Sequence, residues 1–328
     1  WWSRYWAYSD PELRQLVKEF RENDVPLDVL VIDMDWHLDG WTGYTWNPKY
    51  FPEPEGFLKW VHQQGLRATL NLHPADGVGK HEKVFPEVCK AMGLDPEKTE
   101  RVPFDCADPD YMDAYFNLVH RPLEKQGVDF WWIDWQQGAQ SKMPGLDPLG
   151  WLNHLHWWDL QRRAEETGRR PILFSRWGGL GGHRYQIGFS GDTYSNWSSL
   201  AFQPFFTSTA GNVGYGYWSH DIGGHMSGVV EPELYARWIQ WGIFSPVLRT
   251  HTTKNPKAER RIWEFPEETF LAARAAFHLR YELIPYIYTS ARECYDTGLP
   301  LCRPLYYAWP ELEGAYTHDG AHLFGEQL

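Results

Sequence analysis

Short apolar runs that end in a polar residue recur along the chain, and amphipathic stretches separate several of them. The runs cover residues 1–6, 28–33, 67–73, 129–134, 171–176, 186–192, 213–221 and 245–251. Helical patterns fall between them at 10–22, 56–64, 111–126, 151–167 and 231–242. Ser9-Asp10-Pro11-Glu12 opens the first helix with a cap, an early proline and first-turn acids. One further helix is predicted over 266–292, and 300–307 reads as the start of a β element. Buried strands alternating with helices mark a parallel α/β architecture. Eight such runs predict an α/β fold of the (β/α)8 TIM barrel type over residues 1–292, close to that fold's usual size of about 250 residues. Residues 293–328 then form a C-terminal extension leading toward a β domain. A doubly wound sheet is the weaker alternative, because the first strand–helix junction lacks a GxGxxG.

The polar residues fall where a barrel would use them. Asp33, His73, Asp134, Arg176, Asp192, Asp221 and His251 each sit at or near the C-terminal end of a different run. In a barrel those ends build the active site. A single acid in such a place is an ordinary turn or cap residue; several together are not.

Composition narrows the chemistry. With 31 Lys plus Arg against 43 Asp plus Glu the net charge is −12, which argues against nucleic acid or an anionic membrane as the main partner. No run of apolar residues is long enough to span a bilayer. The four cysteines stand far apart with no CxxC, against a zinc site or disulfide framework. The chain holds 20 Trp, 18 Tyr and 17 Phe, far more Trp than usual. Beyond what a core needs, flat aromatic faces with many carboxylates suit a sugar-binding cleft. The start at Trp1-Trp2 and the apolar end read as those of a segment of a longer protein.

Glycoside hydrolysis needs two carboxyl groups, one ionised and one protonated, about 5–5.5 Å apart in retaining enzymes. Asp134, in Phe130-Trp131-Trp132-Ile133-Asp134-Trp135, and Asp192, after Gly191, are the candidate pair, with Arg176 placed to hold an anion or a sugar hydroxyl.

These residues resemble glycoside hydrolase family 31, the retaining α-glycosidases, over nearly the whole chain. Val31-Ile32-Asp33-Met34-Asp35-Trp36 is similar to the family's D-x-D strand, and Trp132-Ile133-Asp134 to its nucleophile motif W-x-D. Ser175-Arg176 with Gly191-Asp192 resembles the S-R…G-D pair, and His220-Asp221-Ile222-Gly223-Gly224 the D-I-G-G element. Phe244-Ser245-Pro246 through Arg249-Thr250-His251 resembles F-S-P-x-x-R-x-H, and Leu279-Arg280-Tyr281 to Tyr288 the helix after the barrel. The resemblance implies that Asp134 is the nucleophile and Asp192 the acid/base. It also implies that Asp33, Arg176, Asp221 and His251 contact the innermost sugar, with Trp132 in the pocket wall. It implies an α-linked oligosaccharide or glycoconjugate as substrate, no cofactor or metal, and flanking β domains.

The departures concern specificity. Asp134 is followed by Trp135-Gln136-Gln137 where the family commonly continues x-N-E, and His73-Pro74 with Asp76 stands where D-P is usual. His225 follows D-I-G-G, and Phe189 replaces a frequent Trp. We therefore expect a retaining, exo-acting, α-glucosidase-like hydrolase whose sugar preference differs from that of a plain α-glucosidase. His73, Asp76, Gln137 and His225 are the polar residues that would pair with substrate groups. α-Galactosidase or α-N-acetylgalactosaminidase specificity is the alternative on the same machinery. A catalytically silent carbohydrate-binding barrel is the alternative of another class, and it would have no need of both Asp134 and Asp192. Other features read more plainly. His154 and His156 form an HxH on a Trp-rich helix whose alternate residues face apart, which disfavours a metal. The glycines at 178–182 read as a loop, lacking a Walker lysine. The sequon Asn196-Trp197-Ser198 lies too near Asp192 for a glycan to leave access.

Overall fold

The structure is a computed structural model, and it describes residues 1–328 except Asp39, Gln136, Ala139, Gln140 and Gln186. The chain divides into two compact units. One, the Asp134 unit, comprises Tyr5–Gln15 and Asp28–Gly179; the other, the Asp192 unit, comprises Trp1–Arg4, Leu16–Leu27 and Leu180–Leu328.

In the Asp134 unit four strands run parallel in sequence order: Val29–Ile32, Arg67–Leu72, Phe130–Ile133 and Leu173–Arg176. Ile32 pairs with Leu70, Leu72 with Ile133, and Ile133 with Ser175, so the C-terminal ends stay nearly level. Strands such as VLVI and FWWI are buried at every position, which is why they show no apolar–polar alternation. Helices Pro54–Gln63 and Pro148–Arg162 both start on a proline, whose missing N–H costs nothing there. Asp147 caps the second of them by accepting from Gly150 N at 2.7 Å. The capping box at the chain's first helix, Asp10–Glu22, is also formed, with Ser9 N and Oγ both donating to Glu12 Oε2 at 2.8 and 2.6 Å.

The helix predicted over 111–126 is not one regular helix. A π-helical segment, Tyr115–His120, separates Pro109–Ala114 from Arg121–Gln126. Pro122 has no N–H to give Leu118, and its ring would press on that carbonyl, so the preceding turn widens.

In the Asp192 unit the strands are much shorter than the sequence runs. Trp2–Arg4 is a strand of three residues. Gly188–Phe189 pairs in parallel with Trp218–Ser219. The run at 245–251 forms no strand and contributes single bridges, Ser219 with Val247, Ile222 with Thr250 and Trp2 with Thr250. Pro246 cannot donate to a ladder, and Ser245 Oγ donates to Gly242 O at 2.6 Å, which turns the backbone. The single helix predicted over 266–292 is two, Glu267–Glu282 and Ile284–Thr297. Pro285 opens the second, and residue 292 lies inside it. Gly298, at φ 80°, ends it. Beyond, Cys302–Pro304 pairs antiparallel with His322–Phe324, as the apolar pattern near 300–307 suggests. All four cysteines are free thiols, and among the described residues no helix is long and apolar enough to cross a membrane.

Candidate active site

Asp134 follows directly on the Phe130–Ile133 strand and is 8% exposed. Its Oδ1 accepts from Arg176 Nε at 2.8 Å and from the Trp135 backbone N–H at 2.8 Å. Its Oδ2 faces Asn71 Nδ2 at 3.5 Å and His73 Nε2 at 3.7 Å, both from the neighbouring strand end. Burial alone would push this carboxyl up. The His73 and Arg176 side chains more than offset it and hold the group well below the usual carboxylate range, so it is ionised at any ordinary pH. Gln137, at φ 63°, props the turn beneath it by donating to the backbone carbonyls of Asp134 and Trp135.

Asp33 stands at the end of the first strand of this unit, 5% exposed, and caps the short helix Met34–Trp36 by accepting from Met34 N at 2.7 Å. Trp132 is buried in the strand, its ring 5.3 Å from that of Phe174.

In the Asp192 unit the centre is a buried ion pair. Asp221, fully buried, accepts from Arg249 Nη2 at 2.5 Å through Oδ1, while its Oδ2 finds no hydrogen-bond partner among the described residues. Arg249 is equally buried and also reaches Ser219 Oγ at 3.2 Å. Burial pushes the Asp221 carboxyl up, and Arg249 pulls it back only in part. Asp192 is exposed. One side-chain atom each of Asp192, Asp221 and His225 lie within 4.8 Å of one another. His225 stacks on His251 with ring centroids 4.9 Å apart, and its buried Nδ1 has no partner among the described residues. His251 Nδ1 meets Ser3 Oγ at 2.7 Å, and burial keeps its ring neutral. Glycine is required beside Asp221: Gly223 and Gly224 have φ of 97° and 86°, and a Cβ would lie 2.5 Å from Arg260 Nε or Ser195 Cα.

A family model described as the glycosyl hydrolases family 31 TIM-barrel domain matches residues 1–290. The chain belongs to glycoside hydrolase family 31. It is 30% identical over 366 residues to an alpha-xylosidase of Saccharolobus solfataricus, covering 100% of this chain and 47% of that protein. It is 28% identical to a probable glucan 1,3-alpha-glucosidase of Arabidopsis thaliana, covering 98% of this chain and 38% of the relative. Among solved structures, a family 31 alpha-xylosidase from a soil metagenome, complexed with xylose, aligns with a TM-score of 0.82 at 21% identity, covering 99% of this chain and 54% of that one. A Flavobacterium johnsoniae family 31 dextranase complexed with glucose gives 0.82 at 24% identity, covering 99% and 44%. The fold class is the (β/α)8 barrel expected from the sequence, and the chain spans about half the length of these relatives or less.

Within this family 31 domain, the candidate residues gather inside each unit. Asp134 and Arg176 meet in one; Asp192, Asp221 and His225 meet in the other, with His251 stacked on His225. Asn71 and Arg249 have no assigned role in the sequence reading, yet they hold the two acidic centres. A polar side chain inside the otherwise apolar strand Arg67–Leu72 is the signal for the first, and the arginine of F-S-P-x-x-R-x-H for the second. Two of the polar departures, Asp76 and Gln137, have protein partners of their own. Asp76 is exposed and lies 3.7 Å from Arg101 at the surface, while the Gln137 amide NH2 donates to the backbone and its buried Oε1 finds no partner among the described residues. Gln136 lies outside the described residues. The HxH does not converge on a metal: His156 Nε2 meets Tyr115 OH at 3.1 Å, and His154 stacks on Trp151. Asp192, Asp221 and His225 are metal-ligating types, but Arg249 already occupies one Asp221 oxygen.

Proposed function

We propose that this barrel is the catalytic domain of a retaining, exo-acting α-glycoside hydrolase. The observation that carries the reading is Asp134, a buried carboxylate kept ionised by Arg176 and His73 at a strand end. Burying a charge costs stability unless it is paired, and a barrel that only bound sugars would have no use for one so placed.

In the first step an Asp134 oxygen attacks the anomeric carbon and the bond to the leaving oxygen breaks. Asp192 gives that oxygen its proton. In the second step Asp192 takes a proton from water as the water oxygen attacks the anomeric carbon, and the bond to Asp134 breaks. Two inversions return the α configuration. Arg176 tempers the nucleophile's charge and orients the oxygen that does not attack. Asp33, Asp221 and His251 are assigned to hydroxyls of a single non-reducing-end sugar, with Trp132 in the wall.

α-Glucoside or α-xyloside cleavage is supported by the names of the relatives. An α-galactoside or α-N-acetylgalactosaminide is the second reading, favoured by His225 with its unpartnered ring nitrogen beside Asp221. The test is a panel of 4-nitrophenyl α-glycosides with the full-length protein, followed by NMR of the first-formed sugar. An α-anomer is expected. An initial β-anomer, or no turnover of any α-glycoside, would overturn the reading.

A further inference from the structure

Trp135 immediately follows Asp134 and has φ 58°, a left-handed backbone that a bulky side chain adopts only when its surroundings hold it there. Its indole lies over the Arg176 guanidinium, 4.5 Å from carbon to ring centroid. The ring of Trp41 lies 6.0 Å from it and covers His73 at 4.1 Å. Each tryptophan therefore roofs one of the two groups that keep Asp134 charged. Neither is buried: Trp41 is 42% and Trp135 43% exposed, against 1% for Trp131 and Trp132 in the adjacent strand. Folding alone explains neither the strained backbone nor the exposed indole surface.

We infer that Trp41 and Trp135 form an aromatic shelf that takes the leaving-group sugar of the substrate, and that Trp135 is a specificity-determining residue for that group. One face of Trp135 is spent on Arg176, so the exposed remainder is available to the apolar C–H face of a second sugar ring, the contact for which flat indoles are suited. A strained position kept for a ligand fits the tendency of such backbone to gather at functional sites.

The inference rests on Asp134 being the nucleophile. Its test compares two substrates of the one sugar that the wild type accepts: the α-glycosyl fluoride, whose leaving group has no ring to stack, and a disaccharide with that sugar α-linked to glucose. Trp135→Ala and Trp41→Ala in the full-length protein should each lower kcat/KM for the disaccharide about ten- to a hundredfold more than for the fluoride. Trp135→Phe should recover most of the difference. Trp135→Gly, which relaxes the backbone, should show the same substrate split with no fall in Tm. Equal losses on both substrates, or a Tm that falls with activity, would overturn the shelf while leaving the glycosidase reading intact. A wild type that turns over neither substrate would overturn both.

Discussion

The two acidic centres are built in opposite ways. In the Asp134 unit both carboxylate oxygens are engaged, one by Arg176 and a backbone N–H, the other faced by Asn71 and His73. In the Asp192 unit Asp192 is exposed, and the buried Asp221 and half-buried His225 each keep one polar atom without a partner among the described residues. A buried polar atom left unpaired costs about 1–3 kcal/mol. The Asp134 carboxylate itself is thus fixed in charge and orientation, although Asn71 Oδ1, His73 Nδ1 and Gln137 Oε1 around it find no hydrogen-bond partner among the described residues. The second centre retains hydrogen-bonding capacity that a sugar hydroxyl or amide can use. In the proposed mechanism the fixed charge of Asp134 and the proton of Asp192 serve the chemical step, and the open Asp221 oxygen serves recognition.

The comparison breaks most visibly in turnover. Asp134→Asn should lower kcat by about 10⁴-fold or more on every α-glycoside, because an amide cannot form the proposed glycosyl ester. Asp192→Ala should depend on the leaving group, with losses of about 10²–10⁴-fold for alkyl glycosides and far less for 4-nitrophenyl glycosides. Steady-state kinetics on the two substrate series checks both, and equal losses from Asp192→Ala would remove it from the acid/base role.

Next in size is the ion pair beneath the recognition centre. Arg249→Met strands the Asp221 carboxylate in a fully buried place and should cost about 3–5 kcal/mol, read from urea midpoints. Adding Asp221→Leu removes the stranded charge and should return much of that loss. If the double variant is no more stable than the single one, packing rather than charge governs the site.

The same contrast explains what the sequence could reveal. The Asp134 unit was legible because its strands are continuous apolar runs, and Asp33, His73, Asp134 and Arg176 fall at their ends by chain order alone. Near Asp192 the runs at 186–192 and 213–221 hold strands of only two residues, Gly188–Phe189 and Trp218–Ser219, and the run at 245–251 holds none, since Gly191 and Pro246 interrupt the ladders without disturbing the apolar pattern. What pattern could not reach is pairing across distance. Asp221 and Arg249 lie 28 residues apart, and no spacing rule joins them. Nor could it reach conformation: Trp135 at positive φ, and the π-turn before Pro122, arise from tertiary constraint and local strain.

Acid should strain both units alike, through buried histidines rather than through the carboxylates. Burial lowers His120 in the Asp134 unit to about 4 and His220 in the Asp192 unit to about 3. Unfolded, each titrates near about 6.5. Between those values the unfolded chain takes up protons that the folded chain refuses, so stability falls as pH drops below about 6.5 and is unaffected above it. The slope is about 1.4 kcal/mol per pH unit for each histidine. Asp134 adds to the loss only below about pH 4, since its folded value lies under its unfolded one. Urea midpoints from pH 7.5 to 4.5 check the sign, and His120→Phe should flatten the curve. A midpoint that rises on acidification would contradict the burial of these rings as neutral groups.

The smallest effect is the one that most sharpens the division between fixed charge and recognition. His225→Phe keeps a flat ring to stack on His251 and removes the unpartnered nitrogen. Asp134 takes its hydrogen bonds from Arg176 and the Trp135 N–H within its own unit, so that carboxylate should stay ionised as before. What should change is the choice among sugars. A nitrogen that pairs with one substrate group favours the sugar carrying that group and is left unpaired by its epimer. Removing it should cost the preferred sugar about tenfold in kcat/KM, mostly through KM, and leave the disfavoured epimers nearly untouched, because they gain nothing from the nitrogen. Measured kcat/KM ratios across α-glucosides, α-xylosides, α-galactosides and α-N-acetylgalactosaminides decide it. If the ratios do not move, His225 serves only to pack His251, and selectivity has to come from Asp33 and Asp221.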